Sequence, residues 1–324
     1  MNREELQQKL GCSSLKGAVI EGLDLSGIDL CAVDLTGAAF RGVKLAGADL
    51  TEARLRDVSF TDVDLSRCNL SAADLGGATL VSVLLEGTHL RGVDLTLAHL
   101  QGCDFTKAKV QCSRLTGADL RGTRFLLANL SDVDLVGSQV TGASFRQTLL
   151  SRARCTRVDL RSCDLVDADF DGADLRGANL EGVAATQASF ARADLSSALL
   201  SRLVARRADF TGANLDHADL QGADLGDASL AGVVARKAIL RKTNLRAARL
   251  PSADLSGALL EGADLSLADL SHARLEGTVL VDANLEGANL HRTELRSAEL
   301  SGANMRGVRK TDPNRARAED FHPS

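Results

Sequence analysis

The residues of this chain that are best suited to chemistry are its cysteines and histidines, seven and six in number. A zinc site needs three or four convergent ligands with supporting hydrogen bonds. His272 and His291 have a spacing that brings them near each other, but Arg292 stands beside them. Two histidines next to a cation predict solvated surface residues, so the sequence predicts no metal site.

The cysteines predict neither a disulfide framework nor a reactive thiol. Cys12, Cys31 and Cys112 fall at polar positions of the sequence pattern, and no two cysteines have a spacing that would bring their Cα atoms within about 7 Å. The other four stand where the pattern is apolar and are predicted to be small buried fillers: Cys68, Cys103, Cys155 and Cys163. Free thiols fit a reducing compartment.

Sequence motifs for catalysis are also missing. The chain has no glycine-rich phosphate loop, no nucleophile elbow and no Cys-x-x-Cys pair. We therefore expect a protein that is not an enzyme and that needs no cofactor.

The composition indicates one narrow site repeated many times. Hydrophobic residues make up 44% of the chain, yet aromatic residues reach only 3%, and Trp and Tyr do not occur. Ordinary cores use aromatic side chains for bulk. An interior of Leu, Ala and Val suggests many copies of a short unit, which makes internal repeats the first feature to look for.

The repeat has a period of five residues. From Leu10 to Met305 the multiples of five give 60 positions, of which 44 are Leu and eight are Phe, and none is polar. A second series of small residues stands two positions earlier, as in Ala173-Asp174-Leu175. Neither an α-helix nor a flat strand has a period of five, so the pattern predicts a repeat architecture that runs without a break in phase.

This unit, Ala-(Asp/Asn)-Leu-x-x, resembles that of the pentapeptide-repeat family over about nine-tenths of the chain. The resemblance implies an all-β fold, the right-handed quadrilateral β-helix, with four units in each coil. In that fold the central Leu or Phe and the small residue two positions before it point inward. We expect about 15 coils without inserted loops and, at about 4.8 Å between stacked strands, a length of about 70 Å.

The phenylalanines support the four-unit coil independently. If twenty residues form one coil, residues twenty apart stack on one another. The phenylalanines fall in that register, and stacked rings fill a narrow bore better than scattered ones: Phe40 and Phe60; Phe105, Phe125 and Phe145; Phe170, Phe190 and Phe210.

The two ends of the chain differ from the repeat. Residues 1–9 are expected to form an N-terminal cap with a short helix, since Asn2 and Glu5 resemble a capping box. Residues 10–308 form the predicted solenoid, and residues 309–324, which are polar and carry two prolines, a flexible tail. With no signal peptide and no long apolar run, a soluble cytoplasmic protein is expected, with signal-less secretion left open.

Large aliphatic side chains occupy one outward column where the repeat usually places polar groups. A contiguous outward apolar stripe predicts an interface, and plain drift of the repeat is the alternative. The candidate interface residues are Leu199, Ile239, Leu259, Val279 and Val281.

Three functions follow from the resemblance. The favoured one is a non-enzymatic rigid rod that acts as a protein-interaction or scaffolding module, without direct nucleic-acid binding. Relatives often dimerise through their C-terminal coils, which implies a C-terminal homodimer here. The second is a DNA-mimic inhibitor of DNA gyrase of the Qnr or MfpA type, and the third is a secreted effector or secretion-system accessory protein.

DNA mimicry requires an acidic face, and this sequence interrupts its aspartates with arginines. The net charge is only −5. One outward column alternates in sign, as Asp34, Arg54, Asp74, Asp94 and Arg114 show. Opposite charges stacked one coil apart neutralise each other, so the gyrase hypothesis ranks below the interaction module.

Overall fold

The computed structural model describes residues 2–320. Its contacts divide the chain into two compact units, Met1–Asp169 and Phe170–Ser324. Both units are built from the same twenty-residue coil, and helix α1 precedes the first coil. No helix within residues 2–320 has the length and apolar character needed to cross a bilayer.

Helix α1, Arg3–Leu10, begins at the capping box that the sequence suggests. The Asn2 side chain accepts a hydrogen bond from the Glu5 backbone N–H at 2.8 Å, and the Glu5 carboxylate accepts one from the Asn2 N–H at 3.0 Å. These bonds satisfy two N–H groups that have no partner inside the helix. Gly11 ends the helix in the left-handed conformation, at φ 63°, and Leu6 is fully buried.

Four short parallel strands form one wall of the first unit: β1 Val19–Glu21, β2 Ala39–Arg41, β3 Ser59–Thr61 and β4 Thr79–Val81. They pair in the order β1-β2-β3-β4, and each residue pairs with the residue twenty positions later. Elsewhere the walls are held by single bridges in the same register, from Asp24↔Lys44 in the first unit to Asn289↔Arg309 in the second. This register confirms four pentapeptide units per coil.

The central residues of the units fill the interior of each coil. From Leu15 to Leu290 every residue whose number is a multiple of five is buried, with at most 5% of its surface exposed. The eight predicted phenylalanines are all buried, and their rings stack at centroid distances of 4.9 to 5.4 Å. The inward register predicted from the sequence is therefore confirmed over these coils.

The corners of the coils have positive φ whether or not they are glycine. Gly222 has φ 66°, but Leu267 has φ 61° and Lys242 has φ 54°. The repeated corner bond explains this geometry, since a backbone N–H at each corner reaches a carbonyl in the next coil, as in Gly222 N–H to Arg241 O at 2.9 Å. The register of the coil imposes the left-handed conformation, and each non-glycine residue there costs about 1 kcal/mol.

Candidate interaction surface

The five candidate interface residues lie on one wall of the second unit and are called the aliphatic stripe from here on. In the outward column the bridges run from Leu199 through Asp219, Ile239 and Leu259 to Val279. Val281 lies two residues beyond Val279, on the same wall. The structure therefore brings the predicted residues together, with Asp219 separating Leu199 from the rest.

The aliphatic stripe is less exposed than the sequence suggests. Leu199 is 45% exposed, but Ile239, Leu259, Val279 and Val281 are only half-buried to partly exposed. Stacked neighbours one coil apart cover each other's sides, so only the outer edge of each side chain meets solvent. The backbone beneath is fixed, because Ile239 N–H donates to Ala218 O and Leu259 N–H donates to Ala238 O, both at 2.9 Å.

Charged side chains border the aliphatic stripe on both sides. Arg241 Nη2 lies 3.0 Å from Glu261 Oε1, and this hydrogen-bonded ion pair lowers the pKa of Glu261. Lys237, Lys242 and Asp282 are exposed at the corners of the same wall, and none of the three has an ion-pair partner within residues 2–320. The stripe thus carries both an internally neutralised pair and free charges of each sign.

Some cations of the same region form ion pairs with carboxylates in neighbouring coils: Arg202, Arg206, Arg236 and Arg241. Arg206 lies 3.2 Å from Asp227, and Arg236 forms a hydrogen-bonded ion pair with Asp216 that lowers the pKa of Asp216. Exposed ion pairs of this kind contribute little stability individually, about 0–1 kcal/mol.

The aspartates of the repeat bind their own backbone. Asp34 Oδ1 accepts a hydrogen bond from the Thr36 N–H at 3.0 Å, two residues ahead, and the same bond recurs in coil after coil, as at Asp254 and Ser256 at 3.1 Å. Hydrogen bonds from Thr36 lower the pKa of Asp34. These carboxylates are parts of the turn, as the sequence predicts, and do not form a ligand site.

A match to a family model decides the family. Eight copies of the model for pentapeptide repeats match residues 13–51, 34–71, 73–111, 111–152, 153–190, 188–227, 228–266 and 268–307. The chain belongs to the pentapeptide-repeat family. Its fold is accordingly the right-handed quadrilateral β-helix that the sequence predicts, and members of the family are generally structural or interaction modules.

Solved structures of pentapeptide-repeat proteins are similar to this chain. HetL, involved in heterocyst differentiation regulation in the cyanobacterium Nostoc sp. strain PCC 7120, is 25% identical, with 95% of this chain and 96% of HetL covered and a TM-score of 0.32. QnrB1, a plasmid-mediated fluoroquinolone resistance protein, is 21% identical over 72% of this chain and 94% of its own, with a TM-score of 0.30. A thylakoid-lumen protein from Arabidopsis thaliana is 28% identical over 42% and 71%, with a TM-score of 0.18. No curated protein matches the chain.

The hydrogen-bonded hydroxyl groups inside the pentapeptide-repeat coils were not predicted from the sequence. Buried Thr88, Thr148 and Thr243 donate to carbonyl oxygens in the preceding coil, at 2.9, 2.7 and 2.9 Å. Each acceptor lies 23 residues earlier and belongs to a central residue of the repeat. The signal was present in the sequence, because small polar residues recur at the inward position two before the central one.

The buried cysteines behave as predicted fillers. All seven cysteines are free, and Cys68, Cys103, Cys155 and Cys163 are buried. Burial raises the pKa of Cys68, Cys103 and Cys163 to about 12. A thiol with so high a pKa is almost entirely protonated at neutral pH and is a poor nucleophile.

Asp119 is the most strongly perturbed carboxylate of the first unit. Arg121 donates two side-chain hydrogen bonds to it, at 2.8 and 2.7 Å, Gln101 donates another, and the pKa of Asp119 falls to about 2. A lowered pKa in the folded state means that the ionised form stabilises the fold above the unfolded pKa, about 3.9. That stabilisation is lost as the pH falls through about 2.

Replacing Asp119 with Asn is therefore expected to lower the free energy of unfolding by about 1–2 kcal/mol at pH 7. The difference from the parent should shrink between pH 4 and pH 2, because the parent loses its carboxylate charge there. Urea unfolding of both proteins at several pH values measures this, with Asp209→Asn as a control that has no side-chain ion pair within residues 2–320. A difference that stays constant down to pH 2 would contradict the assignment.

The C-terminal segment corrects two sequence predictions. Residues Pro313–Glu319, expected within a flexible tail, form helix α2, while residues 321–324 of that predicted tail lie outside the described residues. His291, expected to be solvated, is 2% exposed. The segment is held because Glu319 Oε2 lies 3.2 Å from His291 Nε2, 3.4 Å from His272 Nε2 and 3.3 Å from Arg292 Nε.

The same three side chains, His272, His291 and Glu319, have the composition of a metal site, since their ligand atoms lie within 4.8 Å of one another. The hydrogen bonds favour a different role. The Asp312 backbone N–H donates to His291 Nδ1 at 3.1 Å, so neutral His291 carries its proton on Nε2, the atom facing Glu319. That nitrogen is a donor to the carboxylate and has no free lone pair for a metal. The cluster attaches helix α2 to the coils through the Glu319 carboxylate, and this contact is called the clamp from here on.

Removing the carboxylate of Glu319 is expected to release helix α2 while leaving the coils folded. In Glu319→Ala, trypsin should cleave after Arg309 and Lys310 several-fold faster than in the parent, with the thermal unfolding midpoint shifted by only a few degrees. Glu299→Ala is the matched control, since Glu299 is exposed and has no ion pair within residues 2–320. Equal cleavage rates in parent and Glu319→Ala would contradict the clamp.

The central side chains of the last coil are less buried than the repeat predicts. Leu295 and Leu300 were expected to be buried, but both are only half-buried, as is Met305. Their backbone N–H groups have no acceptor among the described residues, because no further coil follows. Helix α2 contacts His272, His291 and Arg292.

Proposed function

We propose that this pentapeptide-repeat chain is a non-enzymatic protein-interaction or scaffolding module whose binding surface is the aliphatic stripe. The observation that carries the proposal is the position of Ile239, Leu259 and Val279 on three successive coils of one wall. The repeat usually places polar residues such as Asp and Asn at this position. An apolar row on a rigid wall can bury side chains against a partner without a change in the backbone.

The physical basis for binding is rigidity combined with apolar area. Every stripe residue is anchored by backbone bonds to the preceding coil, as Leu240 N–H to Leu259 O at 2.7 Å illustrates. A surface that is already ordered loses little conformational entropy on binding, so more of the gain from buried apolar area, about 25 cal/mol per Å², is kept as affinity.

The experiment that tests this function compares partner capture by the parent and by Leu259→Lys. The immobilised full-length proteins are incubated with a lysate of the native host, and the retained proteins are quantified by mass spectrometry. Leu127→Lys is the matched control, because Leu127 is 52% exposed but belongs to the first unit. Proteins retained by the parent and by the control, but lost from Leu259→Lys, support the proposal; no stripe-dependent retention overturns it.

The structure gives the gyrase-inhibitor hypothesis no specific support. Carboxylates of the alternating column face arginines one coil away, with Arg154 Nη1 2.8 Å from Asp134 Oδ2 and Arg114 Nη1 3.7 Å from Asp94 Oδ2. A wall neutralised in this way lacks the continuous negative potential of duplex DNA.

We therefore expect no inhibition of DNA gyrase supercoiling at micromolar concentrations of the protein. The control is an Asp254→Lys, Asp264→Lys variant, which reverses charge in the most acidic part of the repeat. Inhibition by the parent that disappears in this variant would reverse the ranking and favour DNA mimicry.

A further inference from the structure

We propose that the aliphatic stripe binds a second copy of this chain, antiparallel, about a two-fold axis that passes over Leu259. The inference rests on the proposed function, since it names the partner of the same surface. In an antiparallel face-to-face pair each column lies against the same column of the partner subunit. A coil that precedes the axis lies against the partner's coil that follows the axis by the same distance.

The apolar residues are symmetric about that axis. Ile239 lies one coil before Leu259 and Val279 one coil after it, all in the same bridged column. The axis places Leu259 on Leu259 of the partner subunit and Ile239 on Val279 of the partner subunit. Three aliphatic contacts per protomer are made with no change in the backbone.

The free charges at the corner of the wall are symmetric about the same axis. Lys242 lies one coil before Gly262 and Asp282 one coil after it, and both side chains are exposed. Neither has an ion-pair partner in the described part of its own chain. The axis places Lys242 opposite Asp282 of the partner subunit, and two-fold symmetry makes this contact twice.

Other arrangements of the two walls lose these matches. A parallel pair exchanges the two edges of the wall, which brings Ile239 against Arg241 and Lys237 against Lys242 of the partner subunit. Moving the antiparallel axis by half a coil sets Lys242 against a glycine, Gly262 or Gly302. Only the axis over Leu259 matches Ile239, Leu259 and Val279 and also pairs the two free charges.

Three contacts oppose the arrangement and limit its strength. Arg241 meets Val281 of the partner subunit at the edge of the stripe. Glu261 meets Glu261 of the partner subunit, although each already accepts from Arg241 at 3.0 Å. Asp219 meets Glu299 of the partner subunit at the rim, where salt screens like charges. Because the apolar stripe is narrow and like charges meet within it and at its rim, we expect a dissociation constant on the order of 10–100 μM.

The test is sedimentation velocity of the full chain at several concentrations, with charge reversals. The parent should move from 34.1 kDa monomer toward dimer. Lys242→Glu and Asp282→Lys alone should each weaken association at least tenfold, and the double variant should recover most of the parent's affinity. Lys237→Glu is the matched control, because Lys237 faces Gly277 of the partner subunit, and it should dimerise nearly as the parent does.

Three results would overturn the inference: a parent that stays monomeric at the highest concentration, single reversals that dimerise like the parent, or a double variant no better than the single ones. Single reversals without effect are what an end-to-end dimer through the open last coil would give. A further result is a parent that stays monomeric and yet retains a different protein that the Leu259→Lys variant loses. That result would exclude a second copy as the partner and would leave the proposed function standing.

Discussion

Replacing Leu200 with Asp is expected to unfold the surrounding coils, whereas the same replacement at the adjacent Leu199 is expected to be tolerated. Leu200 is fully buried, and Leu199 is 45% exposed. An unpaired carboxylate in the bore adds its desolvation cost to the lost packing, for a total of at least about 4 kcal/mol. On the outward side the change should stay within about 1 kcal/mol.

Urea unfolding followed by circular dichroism distinguishes the two variants. The pair is informative because the residue type, the substitution and the coil are the same, and only the direction of the side chain differs. Similar losses of stability in both variants would mean that the inward register of this wall is wrong.

The second large effect is expected at the middle ring of a phenylalanine column. Phe190 stacks between Phe170 and Phe210, at centroid distances of 5.4 and 5.0 Å. On the neighbouring wall the inward residues are Ala185 and Ala205, both fully buried. Because these alanines are too small to fill a vacated space, Phe190→Ala should cost about 3–5 kcal/mol, toward the upper end for this substitution.

Phe190→Leu is the control for this prediction, because Leu occupies most other central positions and keeps much of the volume. Its cost should be about 1–1.5 kcal/mol. Since a repeat array can unfold in parts, the unfolding midpoint should be followed by more than one probe. An alanine variant as stable as the leucine variant would show that the ring column does not set the packing of these coils.

The sequence predicts those features that the five-residue period carries locally. The inward positions, the stack of Phe105 on Phe125 and the turn bonds of the aspartates all follow from one unit and its neighbour twenty residues away. Contacts between the coils and a segment outside the repeat cannot be predicted from the five-residue period. Helix α2 is held by His272, His291 and Arg292, and nothing in the period indicates that Glu319 returns to them.

The extent of burial along the aliphatic stripe also could not be predicted from the sequence. The residue type and its position in the twenty-residue register predict where Ile239 and Leu259 lie, and the structure places them there. Their exposure depends on how far stacked side chains cover one another, which varies with the side chain above and below. Leu199 stays more exposed because its column neighbours, Asn179 and Asp219, are shorter polar residues.

Hydroxyl-radical footprinting of aliphatic side chains, with and without the bound partner, measures directly whether the aliphatic stripe is the binding surface. Oxidation of Ile239, Leu259 and Val279 is expected to fall on binding. Exposed Leu97 and Leu127 in the first unit, 63% and 52% exposed, should be oxidised at unchanged rates. Protection of Leu97 or Leu127 with an unchanged stripe would contradict this expectation.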